Sequence, residues 1–125
     1  YLSMVKIDRT LSRNLSDYQA CWVALKDIKA LAFDHNLIIK EAMIYIRQYI
    51  EINPSSLFNL LPRKFTASQL RILYELIYGK QIDVRNFHKK ITMMEYVVPL
   101  DEQGVAHRAA RYYHFDKKIY NKARR

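Results

Sequence analysis

The run DVRNFHKKI carries side chains of the types that bind nucleic acid. Arginine can pair with the edge of guanine and asparagine with the edge of adenine, whereas lysine neutralises phosphate. If Phe87 and Ile91 face the protein interior on a helix, Arg85, Asn86 and Lys89 fall on its flanks and outer face. Residues near the start of such a helix are the ones that reach bases in a major groove. The pattern therefore predicts a DNA-recognition helix.

Further candidates extend this surface towards the preceding helix and a following hairpin. Arg63 and Lys64 come just before a helix start, where backbone amides favour phosphate. His107 and Arg108 fall at a predicted hairpin tip, and basic hairpins of this kind follow the DNA backbone or the minor groove. The full set of predicted DNA-binding residues is Arg63, Lys64, Thr66, Arg85, Asn86, His88, Lys89, Lys90, His107, Arg108 and Arg111. The alternative for each is a solvated surface residue, and Asn86 could instead be buried and bond the neighbouring turn.

The elements that would position these residues are marked by capping signals. Thr66 with Gln69 three residues later forms the pattern of a capping box. Gly79 stands where a helix ends in a left-handed residue, and Asp83 is a helix N-cap type. The turn between the two helices is only about four residues, as a helix-turn-helix requires. We therefore predict two helices from residue 66 to residue 94.

Two strand patterns follow, at Tyr96–Leu100 and Ala110–Phe115, with a wing tip at Asp101–Arg108. Helix, turn, basic helix and basic hairpin is the order of a winged helix-turn-helix. The predicted fold class is α+β, with the winged helix over residues 55–116 and a basic tail over residues 117–125. The aromatic cluster in the return strand is interpreted as strand packing rather than a platform for base stacking.

The first third of the chain contains different patterns. Residues 1–7 and Asp17–Leu25 read as strands that could pair as a β-hairpin, with a polar loop between them. His35–Ile52 reads as a helix with two apolar stripes, which predicts burial on two sides, against its own domain and against something else. Ser56–Leu61 reads as a short strand. Because the chain opens directly in a strand pattern, we expect it to be part of a longer polypeptide.

The charge is concentrated in the second half. The whole chain of 125 residues has a net charge of +9. Residues 1–62 hold 7 Lys/Arg against 6 Asp/Glu, whereas residues 63–125 hold 14 against 6. A polyanionic partner follows from this asymmetry; the alternative is an ordinary solvated surface with a basic tail. The single cysteine, Cys21, excludes an intramolecular disulfide and fits a cytoplasmic location.

The sequence argues against an enzyme. Two glycines cannot build a glycine-rich phosphate loop. The four histidines lack the spacing of zinc ligands. Cys21 lies next to Trp22 and is interpreted as a small core residue. We therefore predict no catalytic residue, metal site or cofactor in these residues.

The chain resembles the Nudix-related transcriptional regulators. The resemblance rests on WVAL and LAFDH in residues 22–35, on the pattern LLP–F–T–QL–YE–G–D–RNF–K–I in residues 60–91, and on RAARYYHF in residues 108–115. It implies a Nudix-like domain end over residues 1–33, a connecting helix over residues 34–54 and a homodimeric parent protein. It also implies double-stranded DNA and ADP-ribose or a related metabolite as partners, in control of NAD or sugar metabolism genes. The wing departs from the family at HRAA, which replaces a Gly-Arg-Pro-Ala style entry.

Two other interpretations stay open. The Nudix box that holds magnesium in hydrolases is absent from this sequence, so the chain alone would not hydrolyse a nucleotide diphosphate by that mechanism. A longer parent could still be an active Nudix hydrolase that uses its winged helix for protein interaction. A winged helix that binds RNA or the ribosome is the third possibility, because charge does not separate DNA from RNA.

Overall fold

The computed structural model describes residues 2–7, 9–100 and 110–124. It divides into an N-terminal unit, residues 1–46, and a winged-helix unit, residues 47–125. The boundary falls inside one continuous helix. None of the described helices is both long and apolar enough to cross a bilayer.

The N-terminal unit has a helix where a loop was predicted and no regular strand where strands were predicted. It contains α1 (Arg9–Asp17), a 3-10 turn (Leu25–Asp27) and the first part of α2 (His35–Ile52). Neither predicted strand forms among the described residues, so the predicted β-hairpin is wrong, as is the predicted loop at α1. The physical reason is that an isolated two-stranded hairpin is marginal without a third strand or a helix over its apolar face. Val5 and Ile7 of the first predicted strand are exposed here.

Helix α2 begins at the predicted residue. It ends two residues before Pro54, which cannot continue a helix. Its start is tied to the preceding loop by Asn36, whose Oδ1 accepts a hydrogen bond from the Leu31 backbone N–H at 2.7 Å. Ile50 is its one buried residue, and several large apolar side chains along the helix remain exposed, so the described residues do not cover both apolar stripes of α2.

The winged-helix unit confirms the predicted α+β fold class. Its elements are a 3-10 helix (Pro54–Leu60), β1 (Phe65–Thr66), α3 (Ala67–Tyr78), α4 (Val84–Met93), β2 (Val97–Pro99), β3 (Tyr112–Phe115) and α5 (Lys117–Ala123). The 3-10 helix replaces the short strand predicted there. A proline in its first turn suits a helix start, and the Ser56 hydroxyl donates to the Asn53 carbonyl at 2.8 Å.

Local caps fix the ends of α3 and α4 as predicted. The Thr66 Oγ1 accepts from the Gln69 N–H at 3.2 Å, while the Gln69 Oε1 accepts from the Thr66 N–H at 2.9 Å. Gly79 ends α3 with φ +65°, a conformation that costs a non-glycine residue energy. Asp83 Oδ2 accepts from the Asn86 N–H at 3.0 Å and starts α4. These caps set the length of the turn between the two helices.

The three strands form an antiparallel sheet in the order β1-β3-β2. Thr66 pairs with Tyr112, and Val98 pairs with His114. The return strand β3 is therefore central, and it connects the start of α3 to the wing. Pro99 closes β2 opposite Tyr113.

The core of the unit lies between the sheet, α3, α4 and α5. Phe58 stacks on Phe115 with ring centroids 4.4 Å apart. Tyr120 of α5 meets Tyr96 edge-on at 5.1 Å. The buried apolar residues are Ile50, Leu57, Phe58, Phe65, Leu70, Tyr74, Ile77, Phe87, Ile91, Met94, Val97 and Tyr120. This core holds α3 and α4 against the sheet.

Candidate nucleic-acid interface

The inner face of α4 sets the rotation of the helix. Phe87 is 1% exposed and Ile91 is 3% exposed. The Phe87 ring meets Tyr74 of α3 edge-on, with centroids 5.6 Å apart. Because a helix turns about 100° per residue, burying these residues decides which side chains point away from the core.

The outer face of α4 is led by two cations. Arg85 and Lys89 lie one turn apart, opposite the buried residues, and both are exposed. Met93, one further turn along, is 82% exposed. Sequence reasoning missed Met93, although its spacing from Lys89 places it in the same row. An exposed row of a guanidinium, an ammonium and a thioether can offer donors to base edges and phosphates and an apolar contact to a thymine methyl group.

The flanks of α4 carry the other predicted residues of this helix. Asn86 and Lys90 lie on one flank and His88 on the other, and all three are exposed. The Asn86 side chain is therefore not a buried structural group. Only its backbone N–H serves the cap, through Asp83. The side-chain amide remains placed for outside contacts.

Lys90 packs back towards α3 more than its exposure suggests. Its Nζ lies 4.3 Å from the centroid of the Tyr74 ring, a cation–π contact. Burial, and secondly the charge of Lys80, lower the pKa of Lys90. Lys80 lies in the turn between the helices and was not among the predicted residues. Only the packing of α4 on α3 brings these two ammonium groups near each other.

The turn before α4 is held in place by a carboxylate of α3 and by a guanidinium of α2. Glu75 Oε1 pairs with Arg71 at 2.7 Å and also accepts from the Ile82 N–H at 3.1 Å. On the other side, Arg47 of α2 donates from Nε to the Ile77 carbonyl at 2.8 Å. Two contacts therefore restrict the turn. One is a carboxylate that accepts from two donors, and the other is a guanidinium that donates to a carbonyl at the end of α3. The start of α4 is thereby positioned before any ligand arrives.

The residues before α3 lie on the surface. Arg63 and Lys64 are exposed immediately ahead of β1. The Thr66 hydroxyl oxygen is engaged in the capping box. Thr66 therefore orders the helix start, and the two cations lie beside it.

The wing is described only at its base. His107 and Arg108 lie outside the described residues. Arg111 is exposed just before β3, and it lines a surface concavity together with Thr92 and Glu95. The sheet thus brings a basic residue of the wing to the far end of α4.

The residues considered as metal ligands or as a nucleophile do not form such a site in the described part of the chain. Among the described residues, no three His, Cys, Asp or Glu side chains converge as metal ligands. Cys21 is exposed, so its interpretation as a core residue is wrong. Without the predicted hairpin, the Cys21 segment has no sheet to pack against.

A helix-turn-helix with an exposed basic second helix and a three-stranded wing has the geometry of a DNA-binding module. Residues 57–115 match the family model described as the NrtR DNA-binding winged helix domain. The winged-helix unit is therefore similar to the NrtR winged helix domain over these residues. The matched range covers the 3-10 helix, α3, α4 and all three strands.

A curated relative extends the similarity beyond the winged helix. The ADPR responsive transcriptional repressor NtrR of Acinetobacter baylyi is 26% identical over 103 residues. That match covers 80% of this chain but 41% of the relative. The chain thus spans less than half the length of that protein. The match to the NrtR winged helix domain agrees with the α+β winged helix predicted from the capping and strand patterns.

Proposed function

We propose that the chain is the DNA-binding part of a transcriptional regulator that responds to ADP-ribose. The observation that carries the proposal is the outer face of α4. Arg85 and Lys89 are exposed there, opposite the buried Phe87 and Ile91, in a domain that matches the NrtR winged helix. Arg63, Lys64, Asn86, His88, Lys90 and Arg111 are proposed to flank this contact, with Thr66 ordering the helix start and with His107 and Arg108 added from the wing.

Duplex binding tests this proposal directly. A duplex is selected from a random library with the wild-type chain. Its affinity is then measured by fluorescence anisotropy at salt concentrations from about 50 to about 200 mM, a range over which the loss of phosphate contacts lowers affinity steeply. Arg85→Ala is expected to cost about 1–3 kcal/mol and to relax preference at one base pair. The matched control is Lys40→Ala, which removes a cation from the exposed surface of α2. Absence of duplex binding by the wild type at low salt would contradict the proposal.

The metabolite response is proposed from the relative, whose name describes an ADPR responsive repressor. We infer a full-length protein in which residues 1–33 end a Nudix-like domain, ADP-ribose binds elsewhere in that domain, and the protein acts as a cytoplasmic homodimer. ADP-ribose should then change the operator affinity of the full-length protein and leave that of residues 1–125 unchanged. Sedimentation of the full-length protein measures the dimer. A ligand response in residues 1–125 alone would place the effector site within this chain.

Helix α2 is proposed to connect the effector domain to the winged helix. It spans the boundary between the two units without a break. Its apolar surface includes Tyr45, 59% exposed, and Ile52, 68% exposed. A ligand changes DNA affinity only if it favours one arrangement of such a helix over another. Ile46→Asn or Tyr49→Asn in the full-length protein should therefore alter the ligand response. Unchanged operator affinity and ligand response in a folded variant would exclude α2 as the coupling element.

A further inference from the structure

A surface concavity of about 560 Å³ lies beside the start of α4. We call it the turn-side concavity. Its walls come from the last turn of α2, the second half of α3, the turn between the helices and one flank of α4. Asn86, which is placed for base contact, lies on its rim. The concavity therefore opens beside the surface proposed to meet DNA.

Two lysines border this space. Lys80 and Lys90 both line it, and Lys90 rests over the Tyr74 ring. In the described part of the chain, neither lysine forms an ion pair with a carboxylate. Two like charges brought together without an anion raise the electrostatic energy of the free protein, and an anion between them lowers it.

The same walls also carry two carboxylates, Glu51 and Asp83. Asp83 accepts the capping hydrogen bond of α4. Glu51 raises the pKa of Tyr78, the neighbouring wall residue, next to the larger effect of burial. Neither carboxylate neutralises the lysines by direct contact. The two lysines are thus available to an incoming anion.

We propose that Lys80 and Lys90 together seat one backbone phosphate of the bound duplex. The inference rests on the proposed DNA-binding function and adds a contact that reads no base. A strand whose base edge meets Asn86 carries its phosphates past the same rim. Lysine ammonium groups donate to phosphate oxygens without a fixed geometry, so two of them can share one phosphate. The seat would fix the register of α4 in the groove from its turn end.

Phosphate neutralisation at single positions tests the shared seat. Lys80→Gln and Lys90→Gln are measured on the selected duplex and on copies that carry one neutral methylphosphonate each. We expect each variant to weaken binding by a similar factor on the selected duplex and on the copies neutralised at most other positions. One methylphosphonate position should remove the effect of both substitutions. The double variant should lower the slope of log affinity against log salt by about 0.9, the value for one phosphate.

Control variants separate charge from packing. Lys90→Arg keeps a cation over Tyr74 and should retain wild-type affinity, whereas Lys90→Met keeps the apolar contact and should bind like Lys90→Gln. Lys89→Gln should remain costly at the methylphosphonate position that silences the other two. Unchanged thermal unfolding in all variants confirms that the fold is intact.

Other results would overturn the seat. If different methylphosphonate positions remove the effects of Lys80→Gln and Lys90→Gln, the two lysines make independent contacts. The same conclusion follows if the double variant lowers the slope by about 1.8. If both variants bind duplex with the wild-type slope of log affinity against log salt, the concavity does not hold DNA phosphate. A concavity that binds a free phosphorylated metabolite instead would give this result. If the wild-type chain binds no duplex at all, the proposed function itself fails, which is a separate outcome.

Discussion

The two units of this chain are rich in apolar residues, but only one of them builds a core. Every buried apolar side chain among the described residues lies at residue 50 or later. In the N-terminal unit, Phe33 is 96% exposed, Tyr18 is 84% exposed and Trp22 is 47% exposed. The difference shows that the winged-helix unit contains its own stabilising contacts. An apolar surface as large as that of the N-terminal unit is typical of a region that meets another surface.

Their backbones differ in the same direction. Gly79 takes the left-handed conformation in the winged-helix unit, whereas Gln19 and Phe33 take it in the N-terminal unit, with φ near +56° and +55°. Non-glycine residues pay a steric cost there. The winged-helix unit thus has residue types suited to its backbone. The following predictions test whether the contrast between the units holds.

The largest effect is expected from matched phenylalanine truncations. Phe87→Ala should lower the free energy of unfolding of the winged-helix unit by about 3–5 kcal/mol, because it empties a packed site. Phe33→Ala should change that quantity by less than about 0.5 kcal/mol, because the ring is exposed. Guanidinium denaturation followed by circular dichroism measures both. Comparable losses in the two variants would erase the distinction between the units.

The next effect concerns the carboxylate that holds the turn. Glu75→Ala removes the partner of Arg71 and the acceptor of the Ile82 N–H, and should cost about 2 kcal/mol. Glu75→Gln keeps an oxygen for the N–H and should fall between alanine and the wild type. The control is Glu41→Ala on the exposed surface of α2. Denaturation midpoints that are equal for Glu75→Ala and Glu41→Ala would show that the turn does not depend on this carboxylate.

A smaller effect is expected at the left-handed positions. Gly79→Ala should destabilise the winged-helix unit by about 1 kcal/mol, since a Cβ is disfavoured at this φ. The space itself is available, because the nearest atom to a built Cβ is Arg47 Nη2 at 3.6 Å. Gln19→Gly should leave the winged-helix transition unchanged. Thermal unfolding of both variants checks the pair, and a stable Gly79→Ala protein would point to a different conformation at the turn.

The smallest effect concerns a buried hydroxyl. The Tyr120 side chain is 5% exposed, and its hydroxyl has no hydrogen-bond partner among the residues that the structure describes. Removing an unsatisfied polar group is neutral or favourable, so Tyr120→Phe should raise the unfolding free energy by up to about 1 kcal/mol. Tyr18→Phe, at an exposed ring, should have no effect. A loss of stability in Tyr120→Phe would reveal a partner for the hydroxyl.

Signals confined to a few residues predicted the structure well. The Thr66–Gln69 pair, Gly79 and Asp83 each act within about one helical turn, and all three appear in the structure as predicted. The spacing of Phe87 and Ile91 likewise predicted which face of α4 is buried. These features gave the winged helix and most of the exposed candidate residues on α4.

Features that depend on distant partners were missed or wrong. The alternating pattern of residues 1–7 looks like a strand, but no strand forms to pair with it in the described part of the chain. The proximity of Lys80 to Lys90 depends on how α4 packs on α3, which the spacing in sequence does not state. The short strand β1 was missed because two residues carry no periodicity. Its existence depends on Tyr112 and Tyr113, nearly fifty residues later.

The strand order has a consequence for behaviour at high concentration. Both outer strands of the sheet are short, since β1 has two residues and β2 has three. The last residue of β2 is Pro99, which has no amide hydrogen to offer a neighbouring strand. Short edge strands that offer few amide hydrogens resist edge-to-edge pairing between molecules. Several copies of the winged-helix unit can therefore bind close together on a polyanion with little tendency to polymerise through their sheets.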